Sequence, residues 1–170
     1  EIRSNQWELA GYWRLISANW LAHARVSGAK INFDGSRHFI GELDGAEIIK
    51  TMNTDRDGTL WSASGSVGHD LRSGNFSIRP TVAVDYYKLK EDGYTETGGG
   101  DALDLTVAER NSDELAVSGT VSLGFDFGGL DQYDGWYRFE LEGGRRQIVG
   151  GSLGVTVAEF DGGTPFTLVP

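Results

Sequence analysis

Apolar and polar residues alternate along six stretches of this chain, and between those stretches short connections take turns with long polar ones. Period-two alternation places successive side chains on opposite faces of an extended strand. In the first stretch Trp7, Leu9, Gly11, Trp13 and Leu15 share a face, and Glu8, Ala10, Tyr12 and Arg14 share the other. The second sets Trp20, Ala22, Ala24, Val26 and Gly28 against His23, Arg25 and Ser27. The third sets Trp61, Ala63, Gly65 and Val67 against Ser62, Ser64, Ser66 and Asp70. The fourth sets Phe76, Ile78, Val82, Val84 and Tyr86 against Ser77, Arg79, Thr81, Asp85 and Tyr87. The fifth runs from Leu115 through Val117, Gly119, Val121, Leu123 and Phe125 to Phe127, opposed by Ser118, Thr120, Ser122 and Asp126. The sixth sets Tyr137, Phe139, Leu141 and Gly143 against Arg138, Glu140, Glu142 and Arg146. Two residues fit this pattern poorly. Pro80 cannot donate to a ladder, which predicts a bulge or an edge there, and His69 falls on an apolar face next to a turn.

The lengths and connections narrow the fold class. The stretches run roughly 9–13 residues, where strands of soluble domains average about 5–6 and a tilted membrane-spanning strand needs about 9–11. Tight turns are expected at 17–19, 72–75 and 128–135, and long loops at 32–58 and 88–113, with a long tail after the sixth strand. Two unlike ends of this kind are the plan of an antiparallel up-and-down transmembrane β-barrel, with short turns on one side and long loops on the other. Trp7, Trp20, Trp61, Phe76, Tyr86, Phe127 and Tyr137 cluster near strand ends, where a barrel carries its two aromatic girdles. In a soluble sandwich the same aromatics would be core.

Composition agrees. Gly is abundant at 25 residues and Pro scarce at 3, with five Trp, six Tyr and eight Phe, a mix suited to an aromatic-rich β protein. The absence of Cys excludes disulfides and thiolate metal sites. The net charge of −10 argues against nucleic acid as a partner. That charge is localised: 32–58 carries −3, 88–113 carries −4 and the tail after Arg146 carries −2, so the acidic character belongs to the long-loop end. No run of about 18 apolar residues occurs, so no transmembrane helix is expected, and Glu1 opens in polar sequence without a signal peptide. Neither point bears against a barrel, in which only alternate residues face lipid.

The polar faces supply the candidate functional residues. Arg14, Arg25, Asp70, Arg79, Asp85, Arg138, Glu140, Glu142 and Arg146 are expected to line a lumen, paired across strands. Glu140 and Glu142 stand about 7 Å apart on one face, a spacing glycosidase chemistry allows, but the flanking Arg138 and Arg146 would keep both ionised. The Ser62, Ser64, Ser66 row completes no Ser/His/Asp constellation. Gly98-Gly99-Gly100-Asp101-Ala102-Leu103-Asp104 has the look of one calcium-binding glycine/aspartate repeat, and a single copy builds no site. No catalytic residue, metal or cofactor is expected.

Three blocks are recognisable. Residues 73–80 (Ser73-Gly74-Asn75-Phe76-Ser77-Ile78-Arg79-Pro80) lead into 84–94 (Val84-Asp85-Tyr86-Tyr87 to Gly93-Tyr94). Glu114-Leu115-Ala116-Val117 leads to Leu123-Gly124-Phe125-Asp126-Phe127-Gly128, and Arg138-Phe139-Glu140-Leu141-Glu142-Gly143-Gly144-Arg145-Arg146 follows. These blocks, with 7–15 and 59–65, resemble the C-terminal β-barrel domain of bacterial autotransporters (type V secretion). The resemblance implies a twelve-stranded barrel in the bacterial outer membrane, helping to export an N-terminal passenger and built by the barrel-assembly machinery. Residues 1–170 would then form one partial domain of about six strands, truncated at both ends. Six strands with open edges cannot span lipid, so pairing with missing strands or with another copy is expected. A soluble β-sandwich or small-barrel binding module, or a plain outer-membrane pore without a passenger, are the alternatives.

Overall fold

All six stretches form strands of one antiparallel sheet, and most continue well beyond the end of their apolar alternation. The structure, a computed structural model, describes residues 1–43, 46–100, 102–127, 137–160 and 163–169. In chain order the strands are β1 (Ile2–Ser17), β2 (Trp20–Leu43), β3 (Ala46–His69), β4 (Leu71–Ser73), β5 (Phe76–Glu91), β6 (Tyr94–Thr95), β7 (Leu105–Val107), β8 (Arg110–Phe127), β9 (Tyr137–Ser152), β10 (Thr156–Phe160) and β11 (Phe166–Leu168). The main sheet has the order β1-β2-β3-β5-β8-β9, each strand beside its predecessor in the wall, with β4 pairing β5. A second sheet has the order β11-β10-β7-β6.

Register puts the apolar faces together across the whole wall. Leu9 opposes Gly28, which opposes Trp61. Val67 opposes Val82, which opposes Gly119, and Phe76 opposes Phe125, which opposes Phe139. A one-residue slip at any pair would send that strand's apolar set to the polar side. Arg145, opposite Gly119, is a charge on the apolar face. The register shifts between Leu115 and Ala116, skipping Val149 and ending the pattern on β9.

Two of the expected turns are present. Ser17 pairs Trp20 around Ala18-Asn19, where Ala18 adopts a φ of 48°, and Ser73 pairs Phe76 around Gly74-Asn75. The turn expected at 128–135 lies outside the described residues, as do Asp44, Asp101 and Asp161. The loop expected at 32–58 is instead a β-arm. β2 and β3 are 24 residues each and pair without a break from Trp20↔His69 to Leu43↔Ala46. Backbone ladder bonds do not require an apolar face, so pairing outlasts the amphipathic signal, helped by β-branched Ile40, Ile48, Ile49, Thr51 and Thr54. The 88–113 loop and the tail are also partly strand: β5 reaches Glu91, β8 begins at Arg110, β9 reaches Ser152, and β6, β7, β10 and β11 make the small sheet.

Pro80 is neither at a bulge nor on an edge. Gly68 pairs Thr81 and Leu71 pairs Ile78 in one common register, so β4 continues β3 after a lapse at His69 and Asp70. Pro80, which lacks an N–H, stands opposite that lapse, while its other side pairs Val121.

Candidate functional site

Large apolar side chains cover one face of the main sheet and stay exposed: Trp7 is 82% exposed, Leu9 84% and Phe139 63%. The opposite face is polar, enclosed around β5 and β8, with Ser77 at 1%, Ser122 at 3% and Asp126 at 6%, and open on the outer strands, where Glu8, Tyr12, Glu140 and Glu142 are exposed. This inverts the arrangement of a water-soluble sheet. The strands impose it through parity, since every second residue of a 16- to 24-residue strand is committed to one side.

The polar face holds a charge network near the tight-turn end. Arg138 on β9 donates from Nε to Glu140 (2.9 Å), from Nη1 to both oxygens of Asp126 (3.1 and 3.2 Å) and from Nη2 to Ser77 Oγ (2.7 Å). Ser77 belongs to β5, so this guanidinium crosses β8 to reach it, passing over Gly124. A Cβ at Gly124 would clash with the Arg138 guanidinium, so a bare backbone is what lets the arginine cross. Arg72 donates to Asp70 (2.8 Å) and Asp126 (3.4 Å). Arg79 lies 3.7 Å from Asp70 and 3.9 Å from Glu140, and its Nε and Asp70 Oδ1 are buried, facing each other beyond hydrogen-bond distance. Three arginines and three carboxylates thus share one cluster, neutral in sum.

Of the residues read from the sequence, Asp70, Arg79, Arg138 and Glu140 come together here. Arg72, Asp126 and Ser77 complete the cluster. Asp126 and Ser77 carried the right strand parity, whereas Arg72 stands in a short strand beside a turn, with no periodicity to place it. The other candidates are distributed along the face. Arg25 donates to Glu8 (2.6 Å), and Ser122 donates to Glu142 (2.7 Å). Arg146 pairs with Glu114 rather than flanking Glu142. Arg14 lines a cleft of about 320 Å3 with His23, Ser66 and Arg79, and His23 Nδ1 and Ser66 Oγ are 2.8 Å apart. Asp85 stands opposite Ser64 and Ala116. The Ser62 hydroxyl is engaged by Ser27 at 2.7 Å.

The seven aromatics fall at two levels of the apolar face. Trp20, Phe76, Phe127 and Tyr137 are at the turn end, where Trp20 packs edge-on against His69 at 4.5 Å. Trp7, Trp61 and Tyr86 gather further along, lining one groove. Trp20 and the Gly28 opposite Trp61 are separated by about 26 Å of strand, of the order of the roughly 25 Å apolar band of a membrane barrel.

A second polar cluster occupies the long-loop end, on the same side of the wall as the first. Arg37 Nε donates to Glu96 (3.2 Å), and its Nη2 reaches both Glu96 and the Leu103 carbonyl (2.9 Å). The Glu96 carboxylate holds the Arg37 guanidinium above its ordinary pKa, against the opposing effect of partial burial. Glu91 accepts from Arg110 (2.7 Å from Nε) and lies 3.5 Å from Arg56, whose guanidinium stacks over Phe33 and Tyr94. Both carboxylates are buried, at 7% exposure for Glu91 and 6% for Glu96. Asp104, from the glycine/aspartate run, spends its two oxygens on the Gly99 and Gly100 amides (2.7 and 3.1 Å) and so closes a turn.

Comparison with known proteins gives one family: the Autotransporter beta-domain matches residues 1–169. The chain is 26% identical over 132 residues to Esterase EstA of Pseudomonas aeruginosa and equally to Esterase EstA of Pseudomonas putida, covering 74% of this chain and 20% of each relative. It is 33% identical over 84 residues to an uncharacterized protein in the trpE-trpG intergenic region of Pseudomonas putida, covering 47% of this chain and 13% of the relative. The chain therefore spans about a fifth of the length of the esterases it matches.

Proposed function

The chain belongs to the autotransporter β-domain family, and on that premise we propose that it walls a polar lumen through which the protein's own passenger is exported. Domains of this family are antiparallel β-barrels of the bacterial outer membrane that anchor and help export a passenger. The inverted sheet carries the reading at this chain's own residues: an exposed apolar face suits lipid, and a charge-paired polar face suits water. In this assignment Arg14, Arg25, Asp70, Arg79, Asp85, Arg138, Glu140, Glu142 and Arg146 line the lumen. Trp7, Trp61 and Tyr86 form one aromatic girdle, and Trp20, Phe76, Phe127 and Tyr137 the other.

The partners follow from the two surfaces and the two edges. Outer-membrane lipid covers the apolar face. β1 and β9 each pair on one side only within the described residues, and unpaired ladder groups are not tolerated in hydrocarbon. Further strands of the domain therefore close the barrel, with the barrel-assembly machinery inserting it. A soluble binding module would need a second layer over Trp7, Leu9, Phe139 and Leu141; among the described residues nothing covers them. We assign no chemical step to this region, because Ser62 is hydrogen-bonded to Ser27, and Glu140 and Glu142 are engaged by Arg138 and Ser122.

The cysteine-free chain makes the test direct. In the full-length protein in membranes, single cysteines at Ser64 or Glu140 should react with a water-soluble maleimide. A fluorophore attached through a cysteine at Val82 or Leu141 should be quenched by a lipid-borne quencher. The reverse pattern would end the assignment.

A further inference from the structure

The apolar side of the wall is not uniform at its long-loop girdle. Trp7 of β1 and Trp61 of β3 bound a groove of about 920 Å3, floored by Gly11, Val26, Gly28 and Ala63. A Cβ at Gly28 would lie 2.9–3.3 Å from the Trp61 ring, so that indole rests on bare backbone. The volume is within the roughly 300–1,000 Å3 of small-ligand sites. Both indoles and Leu9 beside them are exposed.

The chain has four lysines, and three of them stand at the outer rim of this groove. Lys88 and Lys90 are the next two residues on that side of β5 beyond Tyr86, and Lys30 is the next on β2 beyond Gly28. Lys88 opposes Trp61, and Trp7 opposes Lys30. Lys30 and Lys90 both oppose Thr59, which sets them two strand spacings, about 9.6 Å, apart. Lys30 is held by Asp57 (3.2 Å), and Lys90 by Glu109 (3.3 Å) and Asp92 (3.7 Å), each acid lying further out along the wall than the lysine it meets. Lys88 lies nearer the groove, opposite Asp113, and makes no ion pair among the described residues. The order outward is therefore aromatic, lysine, acid. Asn5, Thr59 and Asn111 face the same side among them. Lysines at the end of any membrane segment reach for the headgroups. What is particular here is the groove beneath them, walled by two indoles and floored by small residues.

From this placement we propose that the groove holds an acyl chain of one phosphorylated glycolipid of the outer leaflet, with the lipid's phosphate on Lys88 and Lys90. The proposal rests on the barrel reading above, in which the apolar side meets lipid and the long-loop end is the outer one. Anionic headgroups are drawn to lysines at the membrane surface, and Lys88 is the cation left to answer one. The amides of Asn5 and Asn111 and the Thr59 hydroxyl offer hydrogen bonds to sugar, which a simple phospholipid lacks. The chain lies between Trp7 and Trp61, where Gly11 and Gly28 leave room for it.

The experiment titrates the full-length protein in detergent with bisphosphorylated lipid A, with its dephosphorylated form and with phosphatidylglycerol, and reads bound lipid by native mass spectrometry. The parent should bind the phosphorylated form about thirtyfold more tightly than the dephosphorylated one, the combined effect of two surface lysines on an anionic lipid. K88Q/K90Q changes exposed side chains only and should bring the phosphorylated form down to the dephosphorylated level. A63F fills the floor of the groove and should weaken both forms alike. Equal binding of the two forms by the parent, or parent-like binding by K88Q/K90Q or by A63F, would overturn the proposal. Phosphatidylglycerol bound as tightly as lipid A would overturn the glycolipid as occupant. The fluorophores at Val82 and Leu141 separate this from the barrel reading: quenching there without a phosphate preference removes the lipid site alone, and no quenching removes the barrel reading and the site with it.

Discussion

Single side chains decide how tightly the polar face is held. Arg138 satisfies Asp126, Glu140 and Ser77 at once, on three different strands. Removing one partner from an enclosed ion pair leaves the other charge uncompensated, at a cost of about 3–5 kcal/mol. R138A in the full-length barrel should therefore lower the urea unfolding midpoint in detergent. R138K keeps a charge but loses the planar fork that serves several acceptors and should fall between. G124A should act like R138A although it removes no charge, since the added methyl occupies the space through which the guanidinium passes. A G124A barrel as stable as the parent would show that the arginine has another route. Arg138 and Glu140 were legible from strand parity. Gly124 was not, because its role depends on a side chain 14 positions away, brought over it only by the β8–β9 register.

At the scale of elements, alternation located the six wall strands and both described tight turns but misjudged their outer ends. The 32–58 segment read as an acidic loop because alternation weakens there, while the β2–β3 ladder continues to Leu43↔Ala46. Two antiparallel strands already in register extend their pairing at the cost of ordering one residue on each strand per ladder step, whatever the face looks like. The arm's attachment to the returning segment has a direct check. Asn53 and Thr97 are a hydrogen-bonded antiparallel pair, for which Cα atoms stand about 5.5 Å apart, inside the usual disulfide range. N53C/T97C should oxidise to an intramolecular disulfide in the folded barrel, read as a reductant-sensitive gel shift, with no background from native cysteines. Failure to oxidise would place 97 away from the arm.

For the whole molecule, the open edges dominate. Among the described residues, β1 and β9 present unpaired ladders on the outer sides of a sheet whose apolar face is bare. The 170-residue segment expressed by itself should sediment in detergent as associated species. Joined to flanking barrel strands, it should give a monomer with heat-modifiable mobility. A monodisperse monomer of the segment alone would mean that its edges are covered in some other way. The esterase-named relatives are several times longer than the match.

The sequence by itself determined which side of each strand is apolar, how many strands build the wall, where two tight turns fall and which end is acidic. All of these are local: period-two patterning and turn residues act within a few positions. Only the tertiary structure decided that Arg72, Arg79 and Arg138 share one network with Asp70, Asp126 and Glu140. It alone decided that Pro80 stands opposite a lapse between β3 and β4, and that the long connections carry the wall ladders onward, Tyr94↔Val107 and Ala158↔Val107 keeping the registers of Glu91↔Arg110 and Asp113↔Ser152. Those outcomes depend on register between strands and on buried charge finding a partner, and neither is written in the neighbours along the chain.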